Sequence, residues 1–425
     1  MTSHPPLARR LGTADAVFIG LGSMIGAGIF SAFAPAAQAA GAGLLVGLII
    51  AAVVAFCNAA ASSQLAAQYP TSGGAYVYGR ERLGPWWGFA AGWSFVIGKT
   101  ASCAAMALTF AAYAAPAGWE RPVAVVAVVS LAAANYRGVT RTARLTRIIV
   151  VIVLLVLALA VAAATSTGLP HAASLGSDAF PHGWYGVLQS AGLLFFAFAG
   201  YARIATMGEE VRAPERTIPR AIGIALAVVV AVYAVVALVV LGVLGSSGVA
   251  ASAAPVADAV ASSGWAWAVP VVVFGAAVAS LGALLSLIAG VGRTTLAMAR
   301  EGDLPRWLSA VHPRFQVPHH AEVALAVVVC ILVLTVDLRG AIAFSSFGVL
   351  LYYFVANAAA FTQPSERRRY PRAMQVFGAL ACIALVVTLP PVGIIVGIVV
   401  VLIGIVYRLV ARGLSARSER GSQPR

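Results

Sequence analysis

Long apolar runs broken by short polar connections make up most of this chain, and between Ala16 and Gly79 there is no Asp, Glu, Lys or Arg at all. A run of about 20 apolar residues is the length that crosses a hydrocarbon core as a helix. Apolar runs bounded by charged ends predict twelve spans, over 14–38, 41–66, 84–114, 121–136, 146–165, 186–208, 219–244, 265–298, 320–336, 340–361, 373–389 and 391–410. Backbone groups in lipid must find partners within their own segment, so each span is expected to be helical. The pattern thus predicts an all-α polytopic membrane protein. The third and eighth runs are long for a bilayer and are expected to tilt or project from it.

The connections alternate in charge. Arginines cluster at 9–10, 80–82, 137–147, 212–220, 300–314 and 367–372 and in the tail after 408, while the intervening connections hold Arg121 and Arg339. That asymmetry is the positive-inside pattern and puts both termini in the cytoplasm of a multi-pass plasma-membrane protein. It also accounts for the net charge of +14, so the expected partner is the lipid bilayer and not nucleic acid. Arg9 and Arg10 are not followed by a short apolar core with a cleavage site, so no removable signal peptide is expected. The organisation expected is a cytoplasmic N-terminus (1–12), a transporter core (13–361), two further spans (362–411) and a cytoplasmic tail (412–425).

Two spans carry their own breaking points. In the first, Gly20, Gly22, Gly26 and Gly28 fall within eleven residues. Glycine costs about 1 kcal/mol against alanine inside a helix, and unwound backbone at mid-membrane is tolerated where it lines a cavity or is buried in protein. A half-helix that starts at such a break presents N–H groups suited to a carboxylate, the binding device of many secondary transporters. Glycines four apart, such as Gly22 and Gly26, also make close-packing faces. The sixth span runs Phe195-Phe196-Ala197-Phe198-Ala199-Gly200-Tyr201-Ala202-Arg203, with Gly200 its weakest point. It lies five spans after the first, as inverted repeats of five would place it.

Four stretches, taken in order, resemble the amino acid–polyamine–organocation (APC) superfamily of amino acid permeases. They are the Gly22-Ser23-Met24-Ile25-Gly26-Ala27-Gly28-Ile29-Phe30 run and the Tyr69-Pro70-Thr71-Ser72-Gly73-Gly74-Ala75-Tyr76 turn. The other two are the aromatic–glycine run of the sixth span ending in Glu209-Glu210, and the run from Arg293 to Pro305. The resemblance implies twelve transmembrane helices, a five-plus-five inverted repeat with helices 1 and 6 broken, plus two extra helices and alternating access. It implies that amides around Ser23, Met24, Ile25, Gly26, Ala27 and Gly28 hold the substrate carboxylate. The backbone of Phe198, Ala199 and Gly200 would accept from its ammonium, and Phe198 or Tyr201 would close over the site. Many members have an acidic residue where this chain has Ala202, which turns the expectation from cationic towards neutral amino acids.

Ionisable residues inside spans are functional candidates by default. Lys99, the one lysine of the chain, falls mid-way along the third span. It is a candidate proton-coupling group or a replacement for a bound cation; the plainer reading is a structural lysine bonded to carbonyls. Arg203 is a candidate inner gate, Glu209 stands at the cytoplasmic end of the sixth span, and Arg293 reads as an anchor near the inner face. Ser280 and Ser286 on the eighth span offer hydroxyls to a sodium ion, although hydroxyls on buried helices commonly bond back one turn. His171 and His182 read as solvated loop residues, and the four cysteines as buried apolar ones. No phosphate-binding loop, metal-spaced cluster or nucleophile–base pair is seen, so no enzyme, cofactor or metal is expected. The function expected is a secondary amino acid permease, with the proton as possible coupling ion. The alternatives are an exchanger or exporter, a carrier of polyamines or other amines, and a non-transporting membrane sensor.

Overall fold

A computed structural model describes residues 11–26, 28–70, 73–138, 143–166, 180–208 and 210–421, and every named element among them is helical. The first span comes as α1 (Thr13–Met24), α2 (Gly28–Ser31) and α3 (Phe33–Ala40). Gly41 (φ 56°) ends α3, and a short 3-10 turn leads into α4 (Leu44–Gln68). The turn at Gly73 and Gly74 (φ 128° and 56°) starts α5 (Ala75–Leu83), a charged helix that apolar patterning did not reveal because it carries Arg80 and Arg82. Gly84 (φ 105°) and Pro85 then set the start of α6 (Pro85–Ala114), since glycine takes positive φ freely and proline fits the first helical turn.

α7 (Glu120–Tyr136) and α8 (Ala143–Thr165) follow, then the sixth span as α9 (Gly183–Phe198), a 3-10 turn at Ala199–Tyr201 and α10 (Ala202–Ala205). α11 (Pro214–Ala251) is interrupted at Gly245 (φ 69°), one residue past the expected end of the seventh span. α12 (Pro255–Ala261), in the connection before the eighth span, was not anticipated. The chain closes with α13 (Val269–Arg300), α14 (His319–Thr335), α15 (Leu338–Phe361), α16 (Arg372–Thr388) and α17 (Pro391–Gly421). Among the described residues, nine helical stretches are long and apolar enough to cross a membrane, interrupted ones such as Thr13–Ser31, Phe33–Gln68 and Gly183–Ala205 counting as one each, and α14 and α16 are shorter apolar helices.

Burial sorts these helices into layers. The apolar window of α6 is 83% buried and that of α17 is 17% buried, so α6 runs through the middle and α17 along the outside. Outward faces expose large aliphatic side chains such as Ile49, Leu155 and Val392. An exposed apolar belt of that extent suits lipid and not water. Exposed Trp119, Trp184 and Trp267 lie near the arginine-poor connections, and Trp86, Trp87 and Trp307 near the arginine-rich ones. Two aromatic rims of this kind mark membrane–water interfaces.

The arginine-rich end is tied together by charge. Arg147 of α8 pairs with Asp15 of α1 at 2.7 Å, and Leu11 exchanges backbone hydrogen bonds with Glu210 and Arg212. Asp303, beyond α13, meets Arg408 of α17 at 2.9 Å and Arg80 of α5 at 3.4 Å, and accepts a 3.0 Å hydrogen bond from Tyr76. Arg408 also donates to the Pro85 carbonyl at 2.7 Å and lies over the rings of Trp86 and Phe89. Burial of the Tyr76 hydroxyl beside the Asp303 carboxylate pushes its pKa above the usual tyrosine value, because both disfavour a second negative charge.

Candidate substrate site

The two helix breaks lie against each other. α1 closes with a 2.7 Å hydrogen bond from the Ile25 amide to the Leu21 carbonyl, turns at Ile25–Gly26, and resumes as α2 at Gly28. On the facing chain a Cβ added to Gly200 would lie 2.7 Å from the Met24 nitrogen and closer still to the Ser23 backbone. One added to Gly28 would meet Ala197 at 2.6 Å. The glycines therefore let two interrupted backbones approach within contact. They pack as well as unwind, since a Cβ on Gly26 would strike Ala283 of α13 at 2.5 Å.

Side chains from three other helices satisfy the freed carbonyls. The Tyr233 hydroxyl of α11 donates to Met24 at 2.5 Å and lies 3.1 Å from the Ala197 carbonyl. The Ala199 carbonyl accepts from the Lys99 ammonium at 3.3 Å and from the Tyr353 hydroxyl at 3.4 Å. A carbonyl has two lone pairs, so this one is filled by the protein itself.

Beside the breaks lies a cavity walled by α6, α13 and the sixth span. Phe95, Lys99, Ser102 and Met106 line it from α6, and Ala283, Ser286, Leu287, Gly290, Arg293, Thr294 and Ala297 from α13. Phe196, Ala199, Gly200, Ala202, Arg203, Thr206 and Glu210 line it from the sixth span and its end, with Ser23 from α1 and Gly73 from the turn before α5. Lys99 is 6% exposed, whereas the Arg293 side chain is half exposed and pairs loosely with Glu210 at 3.9 Å. The cavity thus opens at the arginine-rich end and closes towards Lys99. At the other end, Tyr113 packs edge-on against Phe30 and donates to its carbonyl at 3.1 Å.

Several expected residues stand elsewhere than expected. The Ile25 amide is taken by the Leu21 carbonyl, which closes α1, and Ser23 and Met24 are the last two residues of that helix. The Ala199 carbonyl, expected to receive a substrate amine, holds the chain's own ammonium. Phe198 is buried against Tyr233, and Tyr201 is stacked on Tyr353 at 5.0 Å between ring centres. The rings that face the cavity are Phe95 and Phe196. Ser23, Ala199, Gly200, Ala202, Lys99 and Arg203 do line it, while Ala27, Glu209 and His171 lie outside the described residues.

Ser286 lines the cavity but bonds back to the Gly282 carbonyl at 3.0 Å. Ser280 is buried, its hydroxyl without a partner among the described residues. Sequence reasoning passed over Phe95, Ser102 and Met106, although with Lys99 they recur every three or four residues, as one helical face does. The Ser102 hydroxyl lies 2.6 Å from that of Ser345 on α15.

A bundle of long apolar helices with aromatic rims, holding a largely apolar cavity that four charged side chains also line beside two interrupted helices, defines a multi-pass membrane transporter. The chain belongs to the amino acid permease family, whose family model matches residues 11–417, and the resemblance read from its motifs holds. It is 56% identical to an uncharacterized transporter of Mycobacterium tuberculosis over 414 residues, 97% of this chain and 94% of that one. It is 27% identical to the branched-chain amino acid permease BcaP of Bacillus subtilis over 438 residues, covering 96% of this chain and 94% of that protein. Human cationic amino acid transporter 4 is 30% identical over 382 residues, 84% of this chain and 60% of its own length. Family membership places the chain among amino acid transporters.

Proposed function

We propose that this protein is a secondary carrier that moves amino acids across the plasma membrane by alternating access and selects against cationic side chains. The cavity beside the paired breaks, reaching buried Lys99, is the observation that carries the reading. Twelve crossings, with the first ten as two inverted sets of five and the arginine-rich end cytoplasmic, accord with the order of helices and the positions of the breaks. On that orientation the structure is an inward-open state, with Tyr113 and Phe30 on the closed outer side. The domain limits follow: a cytoplasmic segment to residue 12, a core from 13 to 361, two peripheral helices to 411 and a cytoplasmic tail.

Lys99, Arg203 and Arg293 face the cavity, against Glu210 among the described residues. A substrate arginine or lysine would meet like charge there, which disfavours it. The branched-chain relative accords with this selectivity and the cationic one does not. Lys99 is also the candidate for proton coupling, since an ammonium whose access alternates between the two sides can release and regain a proton with each cycle. Purified protein in liposomes, screened with labelled amino acids under imposed proton or sodium gradients, tests the proposal. Uptake driven by the proton gradient without sodium, and inhibited least by arginine and lysine, is expected; sodium-dependent uptake or selective arginine transport would overturn it.

A further inference from the structure

We infer that the preferred substrate carries a second carboxylate, so that the cavity receives an acidic amino acid such as glutamate or aspartate. The inference rests on the carrier function proposed above and deepens it. The Lys99 ammonium can donate three hydrogen bonds, and among the described residues one acceptor is placed for it, the Ala199 carbonyl at 3.3 Å. None of the ion pairs among the described residues involves Lys99 or Arg203, although both line the cavity wall. Buried charges are ordinarily paired, and this chain pairs one elsewhere: Arg408, on the periphery, has Asp303 at 2.9 Å. Among the described residues, Lys99 and Arg203 thus stand at the cavity wall without an ion pair, and Glu210 is the one acid lining it.

Charge balance distinguishes the possible substrates. An amino acid with a neutral side chain is a zwitterion and brings no net charge, so its carboxylate could satisfy Lys99 only while its own ammonium added a further cation. A cationic side chain would make the imbalance worse. A side-chain carboxylate brings the missing negative charge, and its two oxygens match the donor positions that the Lys99 ammonium keeps, among the described residues, beyond the one given to the Ala199 carbonyl. Arg203, nearer the open end, is placed to draw the anion inward, as a cleft lined by one sign of charge does.

The test uses the full-length protein in liposomes and compares isosteric pairs, glutamate against glutamine and aspartate against asparagine, as inhibitors of whichever labelled amino acid is taken up best. The acids are expected to compete at least about tenfold better than the amides, because truncating one partner of a buried charge pair is costly. In Lys99→Met, assayed by exchange of labelled substrate between preloaded liposomes and the medium, which needs no gradient, that ratio should fall towards one, and in Arg203→Gln it should shrink while remaining above one. Equal potency of acid and amide in the parent protein would overturn the inference and leave the amino acid carrier standing. Lys99 would then hold the α-carboxylate or serve coupling alone. Failure of all twenty amino acids to be transported or to bind would remove the carrier reading and this inference with it. If Lys99→Met does not fold, the parent's acid-to-amide ratio and the Arg203→Gln result still decide the matter.

Discussion

Arg408 and Lys99 are both buried cations, 1% and 6% exposed, and they are treated in opposite ways. Arg408, on the peripheral α17, is surrounded by partners: the Asp303 carboxylate, the Pro85 carbonyl and the faces of Trp86 and Phe89. Lys99, on the central α6, has one carbonyl and a cavity. A guanidinium is planar and always charged, and suits a fixed clamp; an ammonium is a compact point charge that can lose its proton. The contrast teaches where this molecule invests in rigidity. The clamp holds α17, α5 and the loop after α13 to the start of α6. Among the described residues, the cation beside the helix breaks is left with donors free.

The comparison can be broken at its strong end first. Arg408→Met would leave Asp303 buried with Arg80 and Tyr76 as its remaining partners, and should cost about 3 kcal/mol. The apparent melting temperature of the detergent-solubilised protein should drop clearly, and Asp303→Asn in the same chain should recover part of the loss. A melting temperature matching the parent's would mean that the clamp is ornamental.

Gly200→Ala tests whether the carbonyl offered to Lys99 depends on close backbone approach. The added Cβ would press on the Ser23–Met24 backbone, and overpacking of this kind costs about 1–3 kcal/mol. Thermal melting should report a smaller loss than Arg408→Met, while substrate binding, followed by stabilisation with added amino acid, should vanish.

Lys99→Met is the sharpest contrast. It removes a charge without a carboxylate partner while roughly keeping the volume, so stability should change by less than about 1.5 kcal/mol. Accumulation of substrate against a gradient should nevertheless be lost. If this variant melts as low as Arg408→Met, the two cations are equivalent and Lys99 is structural. The smallest effect is expected for Tyr353→Phe, which removes the second, 3.4 Å donor to the Ala199 carbonyl. A loss of at most about 1 kcal/mol with transport retained would assign the holding of that carbonyl to Lys99.

Much of the helix order was legible because lipid simplifies the code. An apolar run of sufficient length admits a helix, and arginines mark its ends, so 84–114 was read close to the observed Pro85–Ala114. α5 and α12 escaped because apolar patterning does not register short helices in the connections between spans. The helix breaks were legible in the glycines of 20–28 and in Gly200, since glycine lowers the cost of leaving a helix. The cavity wall was legible in part. Lys99, Arg203, Ser286 and the backbone around Gly200 stood out in the sequence and line it, whereas Phe95, Ser102 and Met106 are ordinary residues there, and what distinguishes them is the neighbour across the gap.

Residue order alone was enough to put this chain in a membrane, to trace its long apolar helices, to find where two of them weaken, and to set a lysine without a charged neighbour in sequence within the third span. These follow from local chemistry: hydropathy, glycine's cost and the arrangement of arginines. Folding in three dimensions selects which cation is clamped and which faces a cavity, and turns Phe95 and Phe196 towards it in place of Phe198 and Tyr201. It also decided that the Ala199 carbonyl is taken by Lys99 and Tyr353. Those outcomes depend on contacts between residues a hundred or more positions apart, and no local pattern encodes which distant side chain will arrive.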